Sequence, residues 1–494
     1  MLKTQESLKA LTPILLIMAQ PQWMFNVLLA VRFCFRVLDR IKCHLSSPFR
    51  ILQNKGFSMT MPLKRSRRQF LSRLSTGVAA GFFINPTRAA FSDSPNERLN
   101  IAAVGCTNRA GANIRGVESQ NIVAISDIDS NLLAQGAERY PAARTYRDYR
   151  EMLDKEAEHI DAVVVGTPDH SHAPAAAMAL RLKKHVYCEK PLTHTVLEAR
   201  TLAELTKKNK LVTQMGTQIH AGDNYRRVVE LVQGNAIGPI REAHVWSGAV
   251  YTGGTFKSAP QPDNVNWDLW LGPAPERSYS EGIHPFHWRK FWDYGTGSLG
   301  DFGCHYMDLT HWALKLRNPV RVAAQGPEYE PVSTPAWLIV KYDFPARGKL
   351  PPVKLTWYDS GRRPEILKTL KDKNGNVLDW GSGQLFIGSE GMILSDYSRH
   401  ILLPEEKFAD FSRPEPSIPK SIGHHAEWLQ AIKEGGTTTC NFDYSGSLTE
   451  TVLLGTVAFR GGEPIEWDSR KLRVTNSERA QQFVHKEYRK GWTL

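Results

Sequence analysis

The chain predicts an α/β protein in two unlike parts: a doubly wound parallel sheet, then an α+β domain with a mostly antiparallel sheet. Three observations carry that expectation. Between residues 99 and 216, short apolar strands alternate with amphipathic helices, the pattern of strands buried on both faces. After Gly216, strands of alternating polar and apolar residues dominate, with Gly, Pro and Trp frequent between them. About 400 residues follow position 90, enough for two domains of roughly 100–200 residues each.

Residues 1–58 precede this pattern. Stretches 14–18 and 24–35 are apolar, but Gln20-Pro21-Gln22 and Arg32 interrupt them. No run therefore reaches the roughly 20 residues that span a bilayer. Two readings stand: an upstream extension with translation beginning at Met59 or Met61, or an additional membrane anchor. Residues 59–90 read as a twin-arginine signal peptide. Ser66-Arg67-Arg68-Gln69-Phe70-Leu71 is followed by a short apolar run at 74–84 and by small residues at Ala89-Ala90, where a peptidase cuts. That predicts export, with a periplasmic or otherwise extracytoplasmic protein that touches membrane only through an uncleaved leader. A protein exported in this way that needs a small molecule made in the cytosol must hold it tightly and regenerate it in place.

Within the first domain (99–216), 100–105, 122–126, 161–166, 185–188 and 212–215 read as strands. A helix opens at 112–117, and 131–140, 146–155, 173–182 and 197–208 read as helices. In the second domain (217–494), 225–233 reads as a helix and 242–247, 337–344 and 353–358 as strands. A helix at 425–433 and an apolar run at 451–459 come late.

The formal charge of +12 lies wholly in the leader region. Residues 1–90 carry 14 Lys+Arg against 2 Asp+Glu, and the rest balances at 48 of each sign. A balanced mature chain has no field to attract phosphate backbones, which excludes nucleic acid as a default partner. Cys106, Cys188, Cys304 and Cys440 are too widely spaced for a zinc motif or a disulfide framework, so they read as free thiols.

The chemistry-bearing motifs sit at strand ends. Gly105-Cys106-Thr107-Asn108-Arg109-Ala110-Gly111 joins the first strand to the first helix, where a dinucleotide's pyrophosphate meets a helix N-terminus. Asp127, 22 residues after Gly105, is placed to bind the ribose hydroxyls of NAD and to repel the 2′-phosphate of NADP. Asp129 is its rival, and either is also suited to cap the next helix. Gly166-Thr167-Pro168-Asp169-His170-Ser171-His172 and Glu189-Lys190-Pro191 follow later strands. The two histidines suit hydrogen bonding or capping rather than metal, and no metal site is expected. Lys190 would project toward the crevice, to bind a substrate hydroxyl or share its proton. Further on, Asp301 and His305 at i and i+4 share one helix face, so a carboxylate would orient an imidazole base.

Together these residues resemble the glucose–fructose oxidoreductase/inositol dehydrogenase (Gfo/Idh/MocA) family. The resemblance covers about residues 99–494. It rests on Gly105, Asp127, Gly166-Thr167-Pro168…His172, Glu189-Lys190-Pro191 and Asp301…His305 with Asp308 beyond, in the family's order and spacing. It implies a Rossmann domain, NAD, a catalytic set of Lys190, Asp301 and His305, and oxidation of secondary hydroxyls on a sugar, glycoside or cyclitol. Gly105, Thr107, Asn108, Arg109, Ala110, Asp127, Thr167, Pro168, His172, Glu189 and Lys190 are the expected cofactor contacts. Thr107 and Ala110 depart from the family's glycines. His284, His287, Trp288 and Asp308 are the expected substrate contacts, and 284–293 the substrate wall, in a second half rich in tryptophan (Trp246, Trp267, Trp270, Trp288, Trp292 and Trp312). A small carbohydrate is the expected partner, in a homo-oligomer. Two other functions fit the same residues: an NAD-dependent glycosidase or lyase working through transient oxidation, and a non-catalytic sugar-binding protein.

Overall fold

The strand Asn100–Val104 (β1) is nearly all Ala, Ile and Val, and its last four residues are buried because helices cover both faces of its sheet. The computed structural model describes residues 97–494. The proposed leader, the 1–58 extension and the twin-arginine pair lie outside the described residues. Six strands form the first sheet: β1, Asn121–Ser126 (β2), Arg144–Tyr146 (β3), Ala162–Val165 (β4), His185–Cys188 (β5) and Thr213–Met215 (β6). Their order is β3-β2-β1-β4-β5-β6, and every neighbouring pair is parallel. Between β1 and β4 the order reverses, which opens a crevice beyond the strands' carboxyl ends.

The helices of this half are Asn108–Gly116 (α1), Ser130–Arg139 (α2), Tyr149–Glu156 (α3), Asp169–Arg181 (α4) and Val196–Asn209 (α5). Asp129 caps α2 by accepting from Asn131 and Leu132 backbone N–H groups. A full capping box of Thr195 and Glu198 starts α5. Helix α4 begins at Asp169, four residues before the expected start, and runs through Pro174. Pro174 has no N–H to give the His170 carbonyl. Lys486 Nζ, from the far end of the chain, donates to that oxygen instead at 3.3 Å.

The second sheet has nine strands: Ile240–Trp246 (β7), Arg321–Gln325 (β8), Ile339–Phe344 (β9), Val353–Tyr358 (β10), Gly383–Gly388 (β11), Met392–Ser395 (β12), His400–Leu403 (β13), Ile465–Asp468 (β14) and Arg473–Val474 (β15). The order is β13-β12-β11-β7-β10-β9-β8-β14-β15, antiparallel except where β10 meets β7. The expected fold class is what the chain adopts. Between β7 and β8 lie Asp223–Gln233's partner helix Gly297–Leu314 (α8) and the short Trp267–Leu271 (α7); Asp223–Gln233 itself (α6) precedes β7.

The late elements do not stay in the second domain. His424–Glu434 (α9) returns to the first sheet, where Trp428, Leu429 and Ala431 pack among Ile101, Ile114 and Tyr187. Phe442–Gly461 (α10) is buried on every side and packs on α5 and α8. The boundary at 216/217 therefore describes the sheets but not the path of the chain. The four cysteines among the described residues are buried and free.

Candidate active site

A cleft of about 900 Å³ opens beyond the carboxyl ends of β1, β2, β4 and β5. At its floor the β1–α1 turn needs a left-handed backbone at Gly105 (φ +83°), and a Cβ there would come within 3.3 Å of the Gly166 carbonyl. Thr107 precedes α1 without capping it, and no acidic residue lies in the first turn. The amides at the helix start thus face the cleft with nothing of the chain's own to bind them, which suits a pyrophosphate despite Thr107 and Ala110 standing for glycines.

Asp127 lines the same cleft. Its Oδ1 accepts from Asp129 N at 3.1 Å, and its Oδ2 from Cys106 N at 3.3 Å. The Cys106 thiol also lies 3.5 Å from Oδ2; burial raises the Asp127 pKa despite these donors, and Oδ1, with a single donor, keeps a lone pair for a ribose hydroxyl. Asp129 is engaged elsewhere: besides capping α2 it accepts from Asn264 Nδ2 at 2.9 Å and meets His284 Nε2 at 3.2 Å. Glu189 is anchored rather than open. Its Oε1 accepts from Arg109 (2.8 Å), Asn113 (2.9 Å) and Gln218 (3.0 Å); burial would raise its pKa, but the charges of Arg109 and Lys190 and the bonds from Asn113 and Arg109 hold it low.

Beside that anchor, Lys190 Nζ donates to Asp301 Oδ1 at 2.7 Å and to the Asp301 carbonyl at 3.1 Å. Arg289 Nε reaches the same Oδ1 at 3.1 Å. Burial alone would raise the Asp301 pKa, but the two cations bring it down to about 2. Burial opposes the Lys190 charge, and Asp301 and Glu189 more than restore it, so the ammonium is kept. The expected Asp301–His305 hydrogen bond does not form, because both cations compete for that carboxylate. His305 lines the cleft with Nδ1 buried and unpartnered, and burial followed by the Lys190 charge pushes its pKa down to about 3. The imidazole is neutral, with Nε2 left for the cleft.

Of the eleven expected cofactor contacts, ten line this one cleft. His172 lies behind the wall, where its ring nitrogens face the carbonyls of Pro191 (2.8 Å) and Thr167 (2.7 Å) and tie two cleft loops together. Among the expected substrate contacts, His284 and Trp288 line the cleft, with His284 beside Asp129 and Asp127. His287 is exposed and outside the lining. Asp308 is buried away from it, held by His220 Nδ1 at 2.9 Å and the Tyr444 hydroxyl at 2.7 Å. Among the described tryptophans only Trp270 and Trp288 reach the cleft; Trp267 stacks on Trp270 and Trp312 on His220.

Sequence reasoning missed Arg289, although it lies inside the 284–293 stretch read as substrate wall. It also missed Asp169 as an ionisable group. Burial and then Asp301 push the Asp169 pKa up to about 7; Oδ2 accepts from Thr296 Oγ1 at 2.9 Å, and Oδ1 has no partner. Phe302 and Tyr397 complete the wall near Lys190, and only the three-dimensional meeting of α8 with β12–β13 brings them together.

One crevice thus gathers a glycine-turned helix start, the Asp127 carboxylate, and the Lys190 and His305 side chains. Residues 99–217 match the family description "Oxidoreductase family, NAD-binding Rossmann fold", and residues 240–350 match "Oxidoreductase family, C-terminal alpha/beta domain". Over these two stretches the chain is similar to the Gfo/Idh/MocA oxidoreductases. It is 28% identical over 142 residues to myo-inositol 2-dehydrogenase of Thermotoga maritima, covering 28% of this chain and 42% of that protein. It is 25% identical over 191 residues to levoglucosan dehydrogenase of Pseudarthrobacter phenanthrenivorans, covering 38% and 42%. The chain thus spans less than half the length of these curated relatives. The fold matches GenD2 from gentamicin A biosynthesis in complex with NAD (TM-score 0.51, 18% identity, 75% of this chain and 97% of that one). It also matches levoglucosan dehydrogenase in complex with NADH and levoglucosan (TM-score 0.50, 17% identity, 75% and 99%).

Proposed function

We propose that the protein oxidises a secondary hydroxyl of a sugar, glycoside or cyclitol, with NAD accepting the hydride. The observation that carries this is the gathering of Lys190 and His305 on the wall of the cleft that also holds the Gly105 turn and Asp127, with Asp301 buried behind Lys190 and bonded to it. NAD, when bound, supplies the hydride-accepting ring; the chain's own residues do the rest. Lys190, kept charged and aimed by Asp301, donates a hydrogen bond to the substrate oxygen and stabilises the negative charge developing there. His305 accepts the hydroxyl proton at Nε2. An imidazole this weakly basic passes the proton on rather than storing it.

The inositol and levoglucosan dehydrogenases it resembles make myo-inositol and levoglucosan the first substrates to try. Purified protein with NAD and a panel of polyols, sugars and glycosides should show NADH absorbance with at least one of them. Glycoside cleavage with no net NADH would instead place the chain with enzymes that oxidise only transiently.

The same proposal includes export by the twin-arginine route with the cofactor held in place, supported by Ser66–Leu71 and the short apolar run behind it. Changing Arg67 and Arg68 together to Lys should retain the protein inside the cytoplasmic membrane. Fractionation that still finds the double variant outside overturns that part alone.

A further inference from the structure

Arg289 is pinned on three sides and open on the fourth. Nε is held by Asp301 Oδ1 at 3.1 Å, and Nη1 donates to the Phe286 carbonyl at 3.3 Å. The guanidinium carbon lies 4.1 Å from the centre of the buried Trp288 ring, which supports its flat face. Nη2 has no hydrogen-bond partner among the described residues, yet it is not a buried atom, and Arg289 lines the cleft. One edge of the guanidinium therefore faces the space next to Lys190. Phe286, 53% exposed, sits 5.0 Å from the guanidinium and offers a ring face beside that edge.

The local charge does not balance. Lys190 and Arg289 share a single carboxylate oxygen of Asp301. Glu189 is committed to Arg109, Asn113 and Gln218. Asp169, behind the pair, is pushed by burial and by Asp301 up to about 7 and so gives only part of a negative charge at neutral pH. A surplus of positive charge remains around the reacting position. A neutral sugar would leave it uncompensated, whereas a carboxylate meets the guanidinium edge in the geometry an arginine favours.

Resting on the dehydrogenase reading, we infer that the substrate is a sugar acid, whose carboxylate is bound by Arg289 while Lys190 and His305 address a neighbouring secondary hydroxyl. A guanidinium already fixed by Asp301, Phe286 and Trp288 loses little freedom on binding, which favours selectivity. The test is calorimetric binding to the NAD-loaded protein, comparing D-glucuronate with D-glucose and D-galacturonate with D-galactose, pairs that differ only at the sixth carbon. At least one acid should bind about 10–100-fold more tightly than its neutral partner, the range of one added hydrogen bond to a charged group. That advantage should shrink as salt is added. Arg289→Gln should abolish the ratio, and Arg289→Lys should keep part of it, since charge persists but the planar fork is lost.

Equal affinity within both pairs, failure of both acids to bind, or a ratio that survives Arg289→Gln overturns the inference. NADH formation in the same samples separates the two readings. An acid that binds through Arg289 but yields no NADH keeps the anion site and removes the dehydrogenase. NADH from neutral sugars, with no binding preference, does the reverse.

Discussion

On one side of the cleft every group stands at or just beyond the end of a parallel strand: Gly105 after β1, Asp127 after β2, Thr167 after β4, and Glu189 and Lys190 after β5. On the other side, Phe286, Trp288 and Arg289 come from the 3₁₀ turn His287–Lys290 and the residue before it, between β7 and α8, and His305 from α8 itself, with Asp301 of the same helix buried behind. The first wall is positioned by strand register, which fixes each side chain within one sheet. The second is held by a few long-range ties: Asn264 to Asp129, Asn266 N to the Ile128 carbonyl at 3.0 Å, and Asp301 to Lys190. On the function proposed above, the cofactor falls to the strand-end wall, and substrate choice to the one that loop residues can remodel.

The division makes separable demands on variants. Lys190→Ala and His305→Ala should give the largest loss, about 10²–10⁴-fold in turnover, with NAD still bound in the His305 variant. Because the His305 pKa lies at about 3, the rate should not fall as pH drops through 6.5, where a free imidazole titrates. An acid limb near 6.5 would show that the imidazole is less enclosed than this geometry makes it.

Asp301→Asn comes next, and it is not the mild change that an imidazole-orienting role would make it. It leaves Lys190 and Arg289 enclosed without their counter-ion, which costs about 3–5 kcal/mol for a buried pair. The Asp301 pKa is depressed in the fold, so its contribution is fully present above the unfolded value near 4 and disappears as pH falls toward 2. Melting curves of the two proteins should accordingly differ most at neutral pH and converge in acid.

Asp127→Ser should leave turnover with saturating NAD nearly intact while relaxing the preference over NADP, as measured by competitive nucleotide binding. Turnover loss without a change in nucleotide preference would break the assignment of the first wall to the cofactor. Asn264→Ala should be smallest. It removes one tie between the walls, costing about 1 kcal/mol in stability by chemical denaturation, with no change in NAD affinity.

The same division explains what the sequence disclosed. Strands β5 and β10 appear in the structure at the expected bounds, 185–188 and 353–358, because continuous apolar runs or strict alternation mark them. Strand β3 is missed by the expected elements, which leave 144–145 unassigned and start a helix at 146: it has three residues at a sheet edge, with Arg144 and Thr145 exposed, too little for any period. Helix α10 was legible only as the apolar run 451–459, since burial all round erases the 3.6-residue alternation of polar and apolar positions. Lys190, Asp301 and His305 carry a recognisable spacing, but no local pattern tells that Asp301 would choose Lys190 and Arg289 over the imidazole four residues on. That choice depends on where residues from three distant segments meet.

Helix α9 has a consequence during synthesis. The first sheet's face of Ile101 and Tyr187, with Ile114 of α1 beside it, is completed by Trp428 and Leu429, which the ribosome adds about 200 residues after the sheet's last strand. At roughly 5–20 residues per second, that face waits on the order of 10–40 seconds for its cover. A nascent chain stalled short of residue 424 would carry a nearly complete nucleotide-binding sheet with an oily flank in water, a client for chaperones rather than a finished domain.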